Sequence, residues 1–520
     1  MHHAVMRSRL RLRKARIGRR LVLFMALAAV PAGIAGLWCV IAPPAVPAFL
    51  LIATAFNLVI GGTEARWRLY GWRDPAAGAE IAWPAPVKVG SEKLSFDLIV
   101  PLRDEASVIA ETLRGLLRQT HPRLHIVVSL CDDDESTISA VRTVVSENLL
   151  TNRITIVTDH YRNPTKAQQL NRALEVCMAD VVGVIDAEDD VAEDLLVHAE
   201  ALLTHSGADV VQGGVQLMNL GTGLGKWFQV HNVLEYFFWF TSRMAFHAST
   251  GFVPLGGNTV FVRRELLERA GGWPLSITED CALGVRLTAE FGAKVATAYS
   301  AKLTTREEAP PSIFNKEVGS LFWQRDRWVR GFIEQFIAGQ WLKMPTPRQR
   351  LLAGYILATP ILQAISFFLL PTSIILGLIV NTPVGVALLM FTPYIPIGLT
   401  LVTQLIGLHD FCEKYNVKAS KWHYASLVFL APLYQVVLTG ASAVAVYKYA
   451  SGDKTWYKTG RASVHRNPAA QPALATATTA TATVVPATAP VASAPVAAPS
   501  PVASSPAASH ADHGLEGAAA

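Results

Sequence analysis

Five short stretches carry side chains able to do chemistry. In "VVGVIDAEDD", Val181 to Asp190, an apolar run that reads as a buried strand ends in Asp186, Glu188, Asp189 and Asp190. Taking a carboxylate out of water costs about several kcal/mol unless it is paired or bound to a metal, so the cluster is either a solvated turn or the holder of a cation. "PTKAQQLN" puts Lys166 at the start of a predicted helix. A helix N-terminus prefers anions, so the lysine is either a solvated surface residue or faces a phosphate together with the helix end. "CDDD" begins at Cys131 and adds Asp132. In "SITEDCALGVRL", Thr278 is placed to cap a helix, with Glu279 and Asp280 in its first turn, where helix electrostatics alone would account for them. "SLFWQRDRWVRGF" sets Gln324, Arg327 and Trp328 on one helical face at i, i+3 and i+4, a combination suited to hydrogen-bonding a sugar or phosphate and stacking an apolar sugar face.

The elements that must position these groups are legible between about Lys93 and Lys343. Strands are predicted at 96–101, 125–130, 154–158 and 181–186, and helices at Ser107–Arg118 and Lys166–Cys177. Strands alternating with helices predict an α/β domain with a largely parallel sheet. Ligands of such sheets bind beyond the carboxyl ends of the strands, and here "PLRDEAS", "CDDDES" and "DAEDD" put acids at three of those ends. Their mutual repulsion calls for something positive among them. A divalent cation carrying phosphates would serve, with Mg²⁺ or Mn²⁺ the natural ions for hard oxygen ligands. The paired glycines Gly256 and Gly257 in "PLGGN" read as a tight turn or a close backbone approach.

Composition adds membrane spans to this domain. Of the 520 residues, 51% are hydrophobic and 17% charged, and the mean hydropathy is +0.30. The net charge of +6 does not indicate nucleic acid, because the basic residues cluster beside apolar segments and not along one face. Residues 1–20 form a basic cytoplasmic start, residues 21–62 a transmembrane hairpin, residues 93–345 the cytoplasmic α/β domain and residues 351–447 a second transmembrane region. Candidate spans in the last lie near 352–378, 384–408 and 424–446. Three of them would strand the basic segment containing Lys448, Lys454, Lys458 and Arg461 on the outer side. Either one segment is re-entrant or interfacial, or a further crossing hides in the Pro-broken region 351–408. Residues 467–520, rich in Ala, Pro and Thr, read as disordered. The five cysteines show no metal-binding spacing and are expected to be free thiols.

Taken in order, "CDDD", "PTKAQQLN", "DAEDD", "GGN", "TED" and "QRDRW" resemble the membrane-embedded processive glycosyltransferases of family 2, the cellulose, chitin and hyaluronan synthases. The resemblance implies a GT-A type nucleotide-sugar-binding domain inserted between transmembrane helices of the plasma (inner) membrane, and an inverting hexosyl- or N-acetylhexosaminyltransferase using a UDP-sugar. Under it, Asp132 would contact the uridine, Lys166 the diphosphate, and Asp186 would begin the metal motif. Asp280 would be the general base, and Glu279, Gln324, Arg327 and Trp328 would line the acceptor and diphosphate. The family's metal motif is DxD; here Glu188 takes the second-acid position and Asp189 is the alternative. No FxVTxKG-type segment follows the membrane region. The expected product is a growing polysaccharide; transfer to a lipid-linked acceptor is the alternative, and an inactive membrane scaffold a third reading.

Overall fold

A computed structural model describes residues 33, 34, 37, 43–73, 87–88, 90–148, 152–160, 164–297, 299–300, 302–316, 318–453 and 455. The expected basic start, most of the first arm of the hairpin and the Ala/Pro/Thr-rich tail lie outside these residues. The second arm is a helix, α1, over Val46–Arg73.

The domain is built on a seven-stranded sheet. Its strands are β1 (Phe96–Pro101), β2 (Leu124–Cys131), β3 (Ile154–Asp159), β4 (Val181–Val184), β5 (Val210–Gln212), β7 (Val260–Arg263) and β8 (Val295–Thr297), in the order β3-β2-β1-β4-β7-β5-β8. A separate parallel pair joins β6 (Gly214–Leu217) to β9 (Thr304–Glu307). Each predicted strand is present, and strands β1 to β4 run parallel. Both faces are covered, which is why the strands read as unbroken apolar runs. Phe96, Leu98 and Val100 face a core shared with helices α2 (Ile109–Leu117), α3 (Glu135–Glu147) and α5 (Leu195–Ser206), whereas Ile99, Val127 and Val182 face α4 (Lys166–Leu174) and α9 (Glu279–Phe291).

The expectation of a largely parallel sheet needs one correction. β7 runs antiparallel to both β4 and β5, so the sheet is mixed. The reversal matters for position: Val260, the first residue of β7, pairs with Val184, the last of β4. The "PLGGNT" turn that precedes β7 is thereby delivered to the carboxyl edge of β4, beside "DAEDD".

Between β6 and β7 come α6 (Trp227–Phe238), a π-helical turn over Trp239–Arg243 and α7 (Met244–Thr250); the short α8 (Arg264–Arg269) follows β7. After β9 the chain forms α10 (Leu321–Ala338), α11 (Pro347–Ile379), α12 (Val384–Leu389), α13 (Tyr394–Tyr415), α14 (Lys421–Phe429) and α15 (Ala431–Ala450). Three segments, Val46–Gly71, Pro347–Ile379 and Val384–Tyr415, are long and apolar enough to cross a membrane. The region 347–379 is one helix despite Pro360 and Pro371, so it conceals no additional crossing.

Helices α14 and α15 form a pair bent by 59°, and both of its ends are fastened to the α/β domain. Near its start, His423 Nε2 lies 2.5 Å from the Gly221 carbonyl. At its far end, Lys448 Nζ donates to Asp326 Oδ2 at 2.7 Å, beside Arg330 at 3.2 Å. In between, Tyr434 and Val437 pack with Trp227, Leu321 and Phe322. The pair therefore runs along α6 and α10, and α15 packs along α11 as well; a pair bent this way is either one broken span or a re-entrant segment. Cysteines introduced as Lys418→Cys and Ser451→Cys should react with a membrane-impermeant maleimide from the same side as Glu92→Cys; labelling from opposite sides would make the bent pair a crossing.

Candidate active site

Lys166 is fixed by local sequence. Thr165 caps α4, its hydroxyl accepting from the Gln168 N–H while the Gln168 side chain accepts from the Thr165 N–H. This capping box starts the helix one residue before the lysine, so Lys166 projects from its first turn. Its Nζ donates to Asp186 Oδ1 at 2.5 Å and to the Gly257 carbonyl at 2.8 Å. Burial opposes the ammonium charge, but Asp186, Glu279 and Asp280 outweigh it and hold the lysine pKa above its ordinary value. Gly257 keeps this approach open: a Cβ there would stand 3.2 Å from Asp280 Oδ2 and 3.4 Å from Lys166 Nζ, a tight fit for both side-chain ends. The glycine pair is a close approach.

Asp280 and Glu279 occupy the first turn of α9. The Asp280 carboxylate accepts from the Cys281 N–H at 2.7 Å. Its pKa is raised by burial, against the opposing pull of that N–H, Lys166 and Arg327. Burial and then the neighbouring Asp280 push Glu279 up to about 7. Thr278 sits at the cap position but its hydroxyl makes no capping bond. Its side chain packs on Gly331 instead: a Cβ there would stand 2.2 Å from Thr278 Oγ1, so the glycine leaves the space that the threonine side chain fills where α9 meets α10. Gln335 Nε2 donates to Ser276 Oγ at 3.2 Å and strengthens the same junction.

The sequence-predicted residues divide into two groups. Lys166, Asp186, Glu279 and Asp280 converge, and Arg327 on α10 reaches the two α9 acids electrostatically. Gln324 is buried with its Oε1 lacking a hydrogen-bond donor among the described residues. Trp328 lies under the Arg325 guanidinium at 4.4 Å and packs on Tyr236 at 6.3 Å. Asp132 stands at the end of β2 and pairs with His160 Nδ1 at 3.0 Å, bonded to none of the converging group.

Local partners answer the expected repulsion between strand ends. Arg103, after β1, grips Asp133 at 2.7 Å. Asp134 accepts from the Asp104 N–H at 2.6 Å and caps α3. Lys166 serves Asp186. In the "DAEDD" turn, Asp189 is turned inward: it accepts from the Asp186 N–H at 2.8 Å and from Asn258 Nδ2 at 2.9 Å. Asn258 Nδ2 also lies 2.7 Å from Glu307 Oε1. Burial, then Glu307, Asp186 and Glu188, drive the Asp189 pKa well above the usual carboxylate range. Glu307, Asn258 and Gln212, whose Oε1 accepts from the Gly256 N–H at 2.7 Å, were missing from the sequence reading as site-building residues. Asn258 stood in the quoted "GGN", but Glu307 and Gln212 are joined to the site only by strand pairing.

Oxygen donors in excess of their positive partners suit a hard divalent cation, and Asp186 with Glu188 could hold one. Asp189 is committed to Asn258 and the Asp186 N–H.

Residues 95–331 match the family described as Glycosyltransferase like family 2. A Beta-monoglucosyldiacylglycerol synthase of Trichormus variabilis is 26% identical over 243 residues, 46% of this chain and 49% of that protein. A second protein of that name, from Nostoc sp., is 25% identical over 242 residues, again 46% of this chain and 49% of the relative. The chain thus spans about half the length of the curated relatives it matches. Among solved structures, the mannosyltransferase PcManGT from Pyrobaculum calidifontis, in complex with GDP-Man and Mn²⁺, has a TM-score of 0.53 at 18% identity, covering 79% of this chain and 100% of that one. This likeness carries the GT-A-like fold.

Three measurements follow from the geometry. The Glu279 carboxyl, raised from 4.5 to about 7, contributes stability that is complete below its unfolded-state pKa and is lost as pH rises through about 7. Glu279→Gln should flatten the fall in Tm of the ligand-free chain between pH about 5 and about 8, and stabilise it at the upper end by about 1–3 kcal/mol; an unchanged pH profile would contradict the assignment. Asp189→Ala should lower Tm by orphaning the Asp186 N–H and removing one of the two carboxylates that Asn258 Nδ2 serves, at about 1–3 kcal/mol for a buried group left unpaired. Glu188→Gln should weaken Mn²⁺-dependent UDP binding more than Asp189→Asn does, and the reverse order would move the metal-holding role to Asp189.

Proposed function

We propose that this chain, which carries a family-2 glycosyltransferase domain of GT-A-like fold over residues 95–331, transfers a hexose from a nucleotide-sugar donor to the hydroxyl of a membrane lipid. The observation that carries the reading is the facing pair across Gly257: an ammonium, Lys166, and a carboxylate, Asp280, each within 3.4 Å of the place where a side chain at Gly257 would begin. One group suits a departing diphosphate and the other an attacking hydroxyl.

The reaction is a single displacement with inversion. Asp280 takes the proton of the acceptor hydroxyl as its oxygen bonds to the anomeric carbon, and the bond from that carbon to the phosphate oxygen breaks, releasing a nucleoside diphosphate. The raised pKa of Asp280 makes it a stronger base than an exposed aspartate. Lys166 and Arg327 stabilise the negative charge that grows on the leaving group. Asp186 and Glu188 would hold Mg²⁺ or Mn²⁺, which when bound neutralises the phosphates. Among the described residues no three His, Cys, Asp or Glu side chains form a metal-holding group. Lys166 must then exchange Asp186 for the diphosphate on donor binding. Asp132, half-exposed at the end of β2, is the candidate for the nucleoside.

The acceptor is argued from surroundings. The names of the two curated relatives, Beta-monoglucosyldiacylglycerol synthase, support glucose and a diacylglycerol-type acceptor ahead of a growing polysaccharide. Three span-length apolar helices in the same chain support a membrane-bound enzyme with its domain on the cytoplasmic side, where nucleotide sugars are made.

Asp280→Asn should leave the chain folded and membrane-bound while transfer falls by about 10²- to 10⁴-fold. Wild-type membranes given labelled UDP-glucose and diacylglycerol should yield a lipid bearing one sugar. A polymeric product would restore the polysaccharide reading, and full activity of Asp280→Asn would remove the base.

A further inference from the structure

Away from the sheet edge, a second charged cluster lies where α1 meets the domain. Glu64 on α1 bridges Arg243, at 3.3 Å, and Arg68, at 3.7 Å. Glu235 on α6 accepts from Arg325 of α10 at 3.0 Å and from the Tyr434 hydroxyl at 2.7 Å. Arg68 is within electrostatic reach of Glu235 as well, so the two halves form one array. Three guanidiniums face two carboxylates, leaving one net positive charge.

Every guanidinium in the array lies over an aromatic ring. Arg243 is over Trp67 at 4.5 Å and Trp239 at 4.8 Å, Arg68 is over Phe238 at 4.8 Å, and Arg325 is over Trp328 at 4.4 Å. Their edges are not satisfied. Arg68 Nε and Nη1, Arg243 Nε and Arg325 Nε are buried with no hydrogen-bond acceptor among the described residues. An orphaned buried donor costs about 1–3 kcal/mol, more when charged, and native structures hold few of them. Four in one array point to an acceptor that belongs there. Arg243 also ends the π-helical turn Trp239–Arg243, a geometry concentrated at functional sites.

We infer that Arg68, Arg243 and Arg325 form a binding site for the phosphate group of an anionic lipid. A phosphate offers several acceptor oxygens to planar guanidinium forks. It brings the negative charge the array lacks. The location favours a lipid source: Glu64 and Arg68 lie toward the end of the span-length segment Val46–Gly71, the level at which headgroups meet protein. An apolar groove of about 300 Å³ between α1 and α13, lined by Leu58, Ala65, Leu69 and Leu399 with Arg66 among them, lies along the same helix and would accept acyl chain. Arg325 and Arg327 leave α10 on different faces, so this site is separate from the one that meets Asp280, with Trp328 between them.

The test uses the full chain in a neutral detergent and reads Tm and apparent Kd on titration with phosphatidylglycerol, phosphatidylcholine, inorganic phosphate and UDP. Phosphatidylglycerol should raise Tm more than phosphatidylcholine does. Arg243→Gln should weaken the apparent Kd for phosphatidylglycerol by about tenfold, the loss of one charge-assisted contact, and leave the UDP response intact. Glu64→Gln removes a competing carboxylate and should strengthen phosphatidylglycerol binding, which keeps the test decisive if Arg243→Gln does not fold. A Tm rise with inorganic phosphate that is lost in Arg243→Gln would support the same phosphate chemistry from a soluble source. Equal responses to the two lipids, or a phosphatidylglycerol response unchanged in both variants, would overturn the inference. Because the readout is binding, it stands or falls independently of glycosyl transfer.

Discussion

The site depends on where one ammonium group is held. Lys166 leaves the first turn of a helix, where the backbone already favours negative charge, and is drawn by Asp186 and the Gly257 carbonyl into the space that Asp280 borders from the opposite side. Each contact needs a different part of the fold: the capping box of α4, the end of β4, the turn before β7 and the first turn of α9. The reversed strand β7 unites them, because only a strand entering from the carboxyl edge can bring its preceding turn against "DAEDD".

The polar frame beneath this space is costly by itself. Asp189, Glu307 and Asn258 are buried together, and a carboxyl driven well above its usual range by its neighbours is a group the ligand-free fold tolerates only through hydrogen bonds. That arrangement orients Asp186 by holding its own N–H. A divalent ion and a diphosphate would balance charge that Lys166 and Arg327 do not. The same tension is repeated with opposite sign where α1 meets the domain, since Arg68, Arg243 and Arg325 outnumber Glu64 and Glu235. Helix α10 connects the two regions, carrying Arg327 toward the acids and Arg325 toward the guanidinium array.

Much of this was legible in the sequence because it rests on local signals. The apolar strands, the helix starts at Lys166 and Glu279 and the acids at strand ends follow from patterns within a few residues, and they sit where expected. What escaped is what only pairing between distant segments decides. The antiparallel entry of β7 has no signature in "VFVR", and Glu307 reaches Asn258 because β9 pairs with β6. Thr278 has the right residue type for a cap, but its side chain packs on Gly331, fifty-three positions on. Asp132 and Trp328 were grouped with Lys166 and Asp280 through a resemblance; their contacts here are His160 for one and Arg325 and Tyr236 for the other.

The central claim is that Lys166 is held in readiness for a nucleoside diphosphate and gives up Asp186 to bind it. Calorimetric titration of UDP into the full chain, with and without Mn²⁺, compared between wild type and Lys166→Met, tests this most directly. Wild type should bind at least about tenfold more tightly than Lys166→Met, as expected for one charge-assisted contact to phosphate, and its affinity should rise with Mn²⁺. Equal affinities in the two proteins under both conditions would contradict the account.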